Sequence, residues 1–297
     1  MEDNLSHLSQ TCKILMSGSD AARIDFIHHD RWINHEIGSQ IRKKINSSLF
    51  LPRNSQAICM LIIGIGGAGK SSLLDRVIKD CDSWAQRQGV PLPYLQLTLP
   101  PEPTLKTTIN ALCERFDLTT SYASKGSLPI QFQFLLKTKK IRGLFIDEFN
   151  HVLAANRIEV RKLLNFLKNL SGPPWSLDLI AFGTNEAMHA VKMDIQLSSR
   201  FQIFEIPLWS ADEEFRAFLA TYEKYLPLAR PSNLASREIV TYLTKNLDPT
   251  TRNIINRLKW AAMTAVVEGA ECITLDILDR SDTLPDLLSV YENESDI

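Results

Sequence analysis

The 297-residue sequence lacks the features typical of secreted proteins, of membrane-spanning proteins and of proteins with structural zinc sites. Its five cysteines are scattered, odd in number and without C-x-x-C spacing, which argues against a disulfide framework and a zinc site. No stretch approaches the about 18 apolar residues of a membrane span. The polar, acidic amino terminus does not fit an ordinary signal peptide. We therefore expect a soluble protein of a reducing cytoplasm, with no membrane partner.

The sequence also lacks an excess of charge of either sign. Lys and Arg number 33 and Asp and Glu number 34, for a formal net charge of −1. Many nucleic-acid-binding proteins carry a basic excess, so the overall charge neither supports nor excludes such a partner. The length allows one large α/β domain plus a smaller one, and the 44% apolar content is typical of a globular protein.

A glycine-rich segment at residues 61–72 is the most informative part of the chain. It fits G-x-x-x-x-G-K-[ST], follows an apolar strand pattern and precedes a helix pattern. Backbone N–H groups of such a loop surround phosphates, the lysine reaches the β- and γ-phosphates, and the first serine ligates Mg²⁺. An ordinary glycine-rich turn is the alternative. We expect this loop to bind a nucleoside triphosphate through Gly64, Ile65, Gly66, Gly67, Ala68, Gly69, Lys70, Ser71 and Ser72.

The second informative signal is a pair of acidic residues, Asp147 and Glu148, that follows the apolar strand pattern at residues 141–146. Asp147 is predicted to hold Mg²⁺ together with Ser71, and Glu148 to polarise the water that attacks the γ-phosphate. An exposed acidic turn is the alternative. Asn150 is placed to orient Glu148, and His151 is interpreted as a surface or packing residue.

Three further positions complete the candidate catalytic set. Thr184 or Asn185, at the end of the next strand, is predicted to contact the γ-phosphate or the water, and a helix-capping turn is the alternative. Arg200 precedes the last short strand and is predicted to reach the nucleotide of a neighbouring subunit, against the alternative of a surface ion pair. Arg252 opens a later helix and is predicted to reach back to the phosphates.

The order of periodic segments predicts the fold class. Strand and helix patterns alternate up to about residue 208, which favours an α/β domain with a mostly parallel central sheet flanked by helices. Every later periodic segment is helical. We expect an N-terminal helical segment (1–55), an α/β nucleotide-binding domain (56–209), a small α-helical lid (210–280) and an acidic tail (281–297). The tail pattern indicates a solvated or disordered segment, with partner binding as the alternative.

Taken in order, GIGGAGKS, FIDE, FGTN, LSSRF and PTTRN resemble the P-loop, Walker B, sensor 1, arginine finger and sensor 2 of AAA+ ATPases. The resemblance covers roughly residues 56–280. The N-terminal run AARIDFIHHDRWI, with FIDEFNHVLA and AFGTNEA, resembles the TniB/TnsC family of ATP-dependent regulators of DNA transposition.

That resemblance implies a bacterial, cytoplasmic ATPase that uses ATP and Mg²⁺. It also implies assembly as a homo-oligomeric ring or helical filament on double-stranded DNA. Partners would be a DDE transposase and a target-selection factor, either TniQ-like or CRISPR-associated, and ATP hydrolysis would disassemble the filament. A helicase loader or replication initiator shares the same core and remains an alternative. A small-molecule P-loop kinase, which would be a monomer without need of Arg200, is a second one.

The resemblance also suggests residues for adenine and for DNA. Trp32 and Ile33 precede the first strand and are predicted to pack around adenine. The alternative is that Trp32 only anchors this segment to the core. Thr104, Lys106 and Thr107 begin the helix after the second strand, where related proteins place DNA-facing elements. A helix start with Thr and Lys suits phosphate oxygens, and an ordinary capped surface helix is the alternative.

Overall fold

The chain folds into two compact units, one formed by Met1–Glu36 with Leu208–Ile297 and the other by Ile37–Pro207. A computed structural model describes residues 5–51, 57–118 and 128–292. The N-terminal helical stretch expected at residues 1–55 is thus divided between the two units. The four domain limits expected from the sequence remain predictions.

The sheet of the second unit is entirely parallel, as the alternation of strand and helix patterns predicts. Its order is β2-β3-β4-β1-β5, so the first strand lies between the last two. Residues of β1 and β4 are buried along their whole length, as expected of inner strands covered by helices on both faces. The five strands are β1 Cys59–Ile63, β2 Tyr94–Thr98, β3 Gly143–Asp147, β4 Asp178–Gly183 and β5 Phe201–Glu205.

The described helices follow in chain order. Before the sheet and through it they are α1 Gln10–Leu15, α2 Asp20–His28, α3 Glu36–Phe50, α4 Lys70–Gln88, α5 Leu105–Glu114, α6 Ile130–Thr138, α7 Arg157–Leu170, α8 Ala187–Lys192 and α9 Ile195–Ser198, with a 3-10 helix at Phe149–Ala154. After the sheet they are α10 Glu213–Glu223, α11 Arg237–Lys245, α12 Thr251–Val267, α13 Leu275–Arg280 and α14 Leu288–Glu292.

Helix α7 illustrates how local sequence specifies these elements. Asn156 caps it by accepting hydrogen bonds from the N–H groups of Ile158 and Glu159, at 3.1 and 3.0 Å. Its apolar residues recur every three or four positions and are buried, including Val160, Leu163, Leu164, Leu167 and Leu170. All of these except Leu163 join one hydrophobic core that also contains residues of the strands, α5 and α6.

The other unit is built around α12, which buries residues on most of its faces. Its core also includes Ile24 and Ile27 of α2. Arg23 of α2 is 5% exposed, and its guanidinium donates to the carbonyl of Pro227 and pairs with Glu271 at 2.6 Å. Burial of an arginine is costly unless it is paired, so these bonds fix the position of α2.

Part of the acidic C-terminal stretch contacts the helical unit. Leu287 and Val290 pack against the core of the helical unit. The Tyr291 hydroxyl lies 2.7 Å from the Asp25 carboxylate of α2. These three side chains therefore have partners that the local sequence does not reveal, whereas Asp282 and Asp286 are exposed, and the expectation of a solvated or disordered tail stays a prediction. Residues 293–297 lie outside the described part. No described helix is both long and apolar enough to cross a bilayer.

Candidate functional site

The parallel sheet brings the predicted catalytic segments to one edge. Ile63, the last residue of β1, is level with Gly183 of β4, and Asp147 of β3 is level with Thr98 of β2. The loop at 64–70, the pair Asp147–Glu148 and the pair Thr184–Asn185 all follow the carboxyl ends of these strands. That edge is where ligands bind in open parallel sheets.

The glycine-rich loop has a backbone that side chains would obstruct. A Cβ at Gly64 would lie 3.0 Å from the carbonyl oxygen of Ile206 and 3.2 Å from the Ala68 Cβ. Gly69 has φ of +99°, a left-handed conformation that favours glycine. It precedes α4 without a capping side chain, whereas α5 and α12 are capped by Thr104 and Thr250. A helix start of this kind suits a phosphate group.

Lys70 and Asp147 carry the opposite charges of the site. The Lys70 ammonium donates to the carbonyl oxygens of Gly64 and Ile65 at 2.8 and 2.9 Å, so it lies along the loop. Burial raises the pKa of Asp147, the Glu148 N–H bond to it lowers that pKa, and the Glu148 carboxylate raises it again. The positive charge of Lys70 lowers the pKa of Asp147 and so opposes the rise.

Glu148 is held in an uncommon backbone conformation, with φ of +53°. Left-handed conformations of residues other than glycine cost about 1–3 kcal/mol and concentrate at functional sites. The Asn150 amide donates to Glu148 Oε2 at 3.4 Å, and its carbonyl oxygen accepts from the Thr184 N–H at 3.0 Å. Asn150 therefore connects the end of β4 to one oxygen of the Glu148 carboxylate. Oε1 remains as the oxygen that can take a proton from water.

Thr184 and Asn185 differ in their surroundings. The Thr184 hydroxyl oxygen is buried without a hydrogen-bond partner, and buried polar groups of this kind are rare enough to suggest a missing ligand or water. The Asn185 side chain is exposed, and its carbonyl accepts from the Met188 N–H at 3.3 Å, as in a helix-starting turn. The geometry favours Thr184 as the residue that faces the reaction, although the choice stays a prediction.

Arg200 lies at the amino ends of the strands, opposite the edge that carries the glycine-rich loop. Its neighbour Phe201 starts β5 and is level with Cys59, the first residue of β1. A five-residue strand is about 16 Å long, so Arg200 is remote from the glycine-rich loop of its own chain. Its guanidinium donates to Ser171 Oγ at 2.7 Å and to the Lys168 carbonyl at 3.2 Å, at the end of α7. Any contact of Arg200 with a nucleotide must therefore be with that of another subunit.

Three predicted residues belong to the helical unit. Arg252 is exposed in the first turn of α12. Ile33 is 5% exposed within the helical core, and the Trp32 indole N–H donates to Asn34 Oδ1 at 2.8 Å. The Trp32 ring also lies 5.6 Å from the His35 ring. Contacts of Arg252, Trp32 and Ile33 with a nucleotide remain predictions.

The start of α5 is capped by its own residues. Thr104 and Thr107 form a reciprocal capping box, so their hydroxyls serve the helix start. Lys106 is exposed. The Leu105 N–H donates to the Glu159 carboxylate at 2.9 Å, and Lys162 pairs with Glu159 at 2.7 Å. An acidic side chain thus lies where the sequence predicts a DNA phosphate.

The chemistry at the carboxyl edge fits a nucleotide with Mg²⁺. Ser71 is exposed in the first turn of α4, and Asp147 is a partly buried carboxylate, so both offer the oxygen ligands that Mg²⁺ takes. In the described ranges no three His, Cys, Asp or Glu side chains form a metal-binding group. An ion held by Ser71 and Asp147 would therefore also need oxygens from phosphate and water, which is the usual state of Mg²⁺.

Three contacts of this region are not apparent in the sequence. Glu159 contacts the start of α5, 54 positions away in the chain. Ser171 contacts Arg200, 29 positions away, and Leu99 contacts His151, 52 positions away. No motif contains them, and only tertiary structure brings them to their partners. Asn150 was recognisable because it lies two positions after Glu148.

Comparisons with known proteins identify the family and the fold of the chain. Residues 23–211 match the family model described as bacterial TniB protein. No curated protein sequence matches the chain. A solved structure of Aeropyrum pernix ORC2, in ADPNP and ADP complexes, is similar with a TM-score of 0.61 at 18% identity over 91% of this chain and 71% of that one.

Two DNA-bound structures are also similar. Drosophila ORC bound to DNA has a TM-score of 0.59 at 14% identity, covering 91% of this chain and 67% of that one. Aeropyrum pernix ORC1 in complex with DNA has a TM-score of 0.57 at 13% identity, covering 87% and 68%. At these identities the likeness shows the fold, which is that of an AAA+ P-loop protein.

Proposed function

Since the chain belongs to the bacterial TniB protein family, we propose that it is an ATP-dependent regulator of DNA transposition that works as an assembled AAA+ ATPase. In this proposal it binds ATP and Mg²⁺, forms a ring or helical filament on double-stranded DNA and recruits a DDE transposase. A TniQ-like or CRISPR-associated factor selects the target. ATP hydrolysis then disassembles the filament.

One observation supports this proposal above the others. The glycine-rich loop, Asp147 and Glu148 lie at the carboxyl edge of the sheet, and Arg200 lies beyond the amino edge. A monomer of this architecture has an incomplete set of charges for phosphate cleavage. Joining subunits supplies the missing guanidinium, so turnover depends on assembly. This separation argues against the small-molecule kinase alternative, which needs no second subunit.

Each residue has a stated part in the proposed reaction. The loop N–H groups and Lys70 hold the phosphates, and Ser71 with Asp147 holds Mg²⁺, which neutralises phosphate charge when bound. Glu148 takes a proton from the attacking water through Oε1 while Asn150 restrains Oε2. Thr184 orients the water or the γ-phosphate with its buried hydroxyl. Arg200 of the adjacent subunit stabilises the charge that develops during cleavage.

Family membership favours transposition over the helicase-loader or initiator alternative. The likeness to ORC proteins lies at 13–18% identity and concerns the fold. Pull-down with purified transposase and with purified replicative helicase separates these two possibilities, because each predicts capture of only one partner.

Glu148→Gln tests the proposal directly. We expect the variant to bind ATP and to assemble on duplex DNA, with turnover reduced by about 10² to 10⁴, because it lacks the general base. Assemblies seen by electron microscopy should therefore persist, whereas wild-type assemblies decay as ATP is consumed. Lys70→Ala, which weakens phosphate binding, is the control and should not assemble. Near-normal turnover by Glu148→Gln would remove Glu148 from the role of base.

A further inference from the structure

His151 lies between the candidate base and the end of strand β2. Its ring Nδ1 is 2.9 Å from the carbonyl oxygen of Leu99, and its Nε2 is 4.0 Å from Glu148 Oε2. A carbonyl oxygen only accepts, so Nδ1 carries the hydrogen and Nε2 is the nitrogen that faces the carboxylate. One imidazole ring thus bridges two segments that are 49 positions apart in the chain.

Both the backbone N–H and the backbone carbonyl of Leu99 form hydrogen bonds. Its N–H donates to the Asp147 carbonyl at 3.1 Å, which continues the pairing of β2 with β3, and its carbonyl accepts from His151. The Leu99 side chain is 3% exposed within the hydrophobic core. Leu99 and His151 therefore move together if this end of β2 is displaced.

A stiff turn connects Leu99 to the start of α5. The turn reads Pro100-Pro101-Glu102-Pro103, and each proline fixes its own φ near −65°. Thr104 then caps α5. A force on the start of α5 is transmitted along such a turn more effectively than along a flexible glycine-rich one. The turn at 100–103 joins the predicted DNA-facing residues to the ring beside Glu148.

We propose that His151 is a positioning residue that couples the start of α5 to the Glu148 carboxylate. The Asn150 amide donates to Oε2, and the ring lies 4.0 Å from the same oxygen, beyond hydrogen-bond distance, so the ring limits by its bulk the space into which that oxygen can swing. In this proposal a contact of DNA with the start of α5 shifts the 100–103 turn and, through it, Leu99 and the His151 ring. The shift of the ring changes the position of the Glu148 carboxylate to one that suits catalysis. This inference rests on the proposed function, since it requires ATP turnover that responds to DNA.

Two substitutions separate coupling from simple packing. His151→Asn keeps an amide donor near the position of Nδ1 and lacks any atom at the position of Nε2. His151→Phe keeps a flat ring and loses both nitrogens. His189→Asn, at an exposed histidine of α8, is the matched control. Pro101→Gly leaves His151 intact and loosens the exposed turn.

The measurement is ATP turnover by the full-length protein with and without duplex DNA, beside nucleotide and DNA affinities measured by fluorescence anisotropy. We expect both His151 variants and Pro101→Gly to show about tenfold lower DNA-stimulated turnover than wild type, because a base that is not held in place loses alignment with the water. Their affinities for ATP and DNA should be unchanged. His189→Asn should retain the full DNA response.

Two results would overturn the inference alone. A normal DNA response in His151→Asn would mean that only the bond to Leu99 matters, as in a packing role. An equal loss of turnover with and without DNA would place His151 in the chemical step instead of the coupling. A wild-type protein whose turnover ignores DNA would overturn both this inference and the proposed function.

Discussion

The most constrained residue of the site is Asp147, whose carboxylate is partly removed from water. Burial raises its pKa, so the charged form is disfavoured in the folded protein. A group whose pKa is higher in the folded state makes that state bind protons more readily than the unfolded chain. The ionised Asp147 therefore costs stability at a pH above the raised pKa, and this cost shrinks as the pH falls.

Asp147→Asn should accordingly stabilise the protein while abolishing ATP turnover. The amide keeps an oxygen that can accept from the Glu148 N–H and removes the buried charge. We expect a higher melting temperature at neutral pH in the absence of Mg²⁺. The gain should disappear as the pH falls through the raised pKa towards that of an ordinary aspartate. Unfolding curves at several pH values provide the measurement, and a lower melting temperature at neutral pH would contradict the prediction.

Asn150→Asp tests the restraint on Glu148 without removing the contact to β4. The new carboxylate still accepts from the Thr184 N–H, but it no longer donates to Glu148 Oε2 and repels that carboxylate. We expect turnover to fall by about 10- to 100-fold, because a displaced base loses alignment with the water. ATP affinity should change much less, and Asn169→Asp on the exposed side of α7 is the control. Unchanged turnover would show that Asn150 does not position the base.

At the scale of elements, the start of α5 combines a predicted DNA contact with an acid. Glu159 accepts from the Leu105 N–H, and the hydrogen bond from Lys162 lowers its pKa, so it is ionised at neutral pH. A carboxylate suits a helix start, because the helix dipole is positive there. The same carboxylate repels a DNA phosphate. The acid therefore moderates DNA affinity if α5 contacts the duplex.

Glu159→Gln should strengthen DNA binding. Glutamine keeps an oxygen for the Leu105 N–H and removes one negative charge, so we expect about threefold to tenfold tighter binding at low salt. The difference should shrink as salt is added, since screening weakens the contribution of a charge near the surface. Anisotropy titrations over a range of salt measure it, with Glu186→Gln on the first exposed turn before α8 as control. Equal affinities for Glu159→Gln and wild type would place DNA away from the start of α5.

The strands were predictable from the sequence because each is a short apolar run followed by turn or catalytic residues. Observed bounds differ from the patterns by one or two residues; β3 starts at Gly143 rather than at residue 141. Helix α1 lies within the N-terminal segment expected to be helical, but its bounds could not be predicted, because it is six residues long and buries only Cys12, which leaves no periodic signal. The docking of Leu287 and Val290 was missed for another reason, since it depends on a core assembled from distant segments.

At the scale of the whole molecule, the position of Arg200 makes a prediction about mixed assemblies. Arg200→Ala and Lys70→Ala should each be inactive alone, because one lacks the guanidinium and the other the phosphate-binding amine. Lys70→Ala should not assemble by itself, but ATP-bound Arg200→Ala subunits can recruit it, so in a one-to-one mixture up to about a quarter of the sites should combine an intact loop with an intact Arg200 from the neighbour. ATP turnover measured on mixing should therefore exceed that of either variant.

Ser171→Ala is the control for this experiment. It removes the partner that Arg200 contacts within its own chain at 2.7 Å and leaves the guanidinium in place. If Arg200 only secures the end of α7, then Ser171→Ala should resemble Arg200→Ala, and mixing with Lys70→Ala should restore nothing. If Arg200 acts on a neighbour, Ser171→Ala should remain active.

The sequence predicted the members of the site better than their arrangement. Motif spacing singled out Lys70, Asp147 and Glu148, and the strand ends bring them to one edge of the sheet, while their roles stay predictions. The remoteness of Arg200 from its own loop follows from the parallel register of β5 with β1, which no local pattern specifies. For the same reason His151, read as a packing residue, shows its contact with Leu99 only in the folded chain.

The glycine-rich loop and Arg200 lie at opposite ends of the strands of one sheet. An assembly in which one subunit's Arg200 meets the next subunit's loop therefore has two different ends. Subunits that complete each other in this way join head to tail, so they form a ring or an open helix with two unlike ends. In an open helix the last subunit at one end holds a nucleotide that no Arg200 reaches. If Arg200 acts on the nucleotide of its neighbour, we expect that end nucleotide to be hydrolysed more slowly than those inside, so that one end of the filament is kinetically protected and the two ends disassemble at different rates.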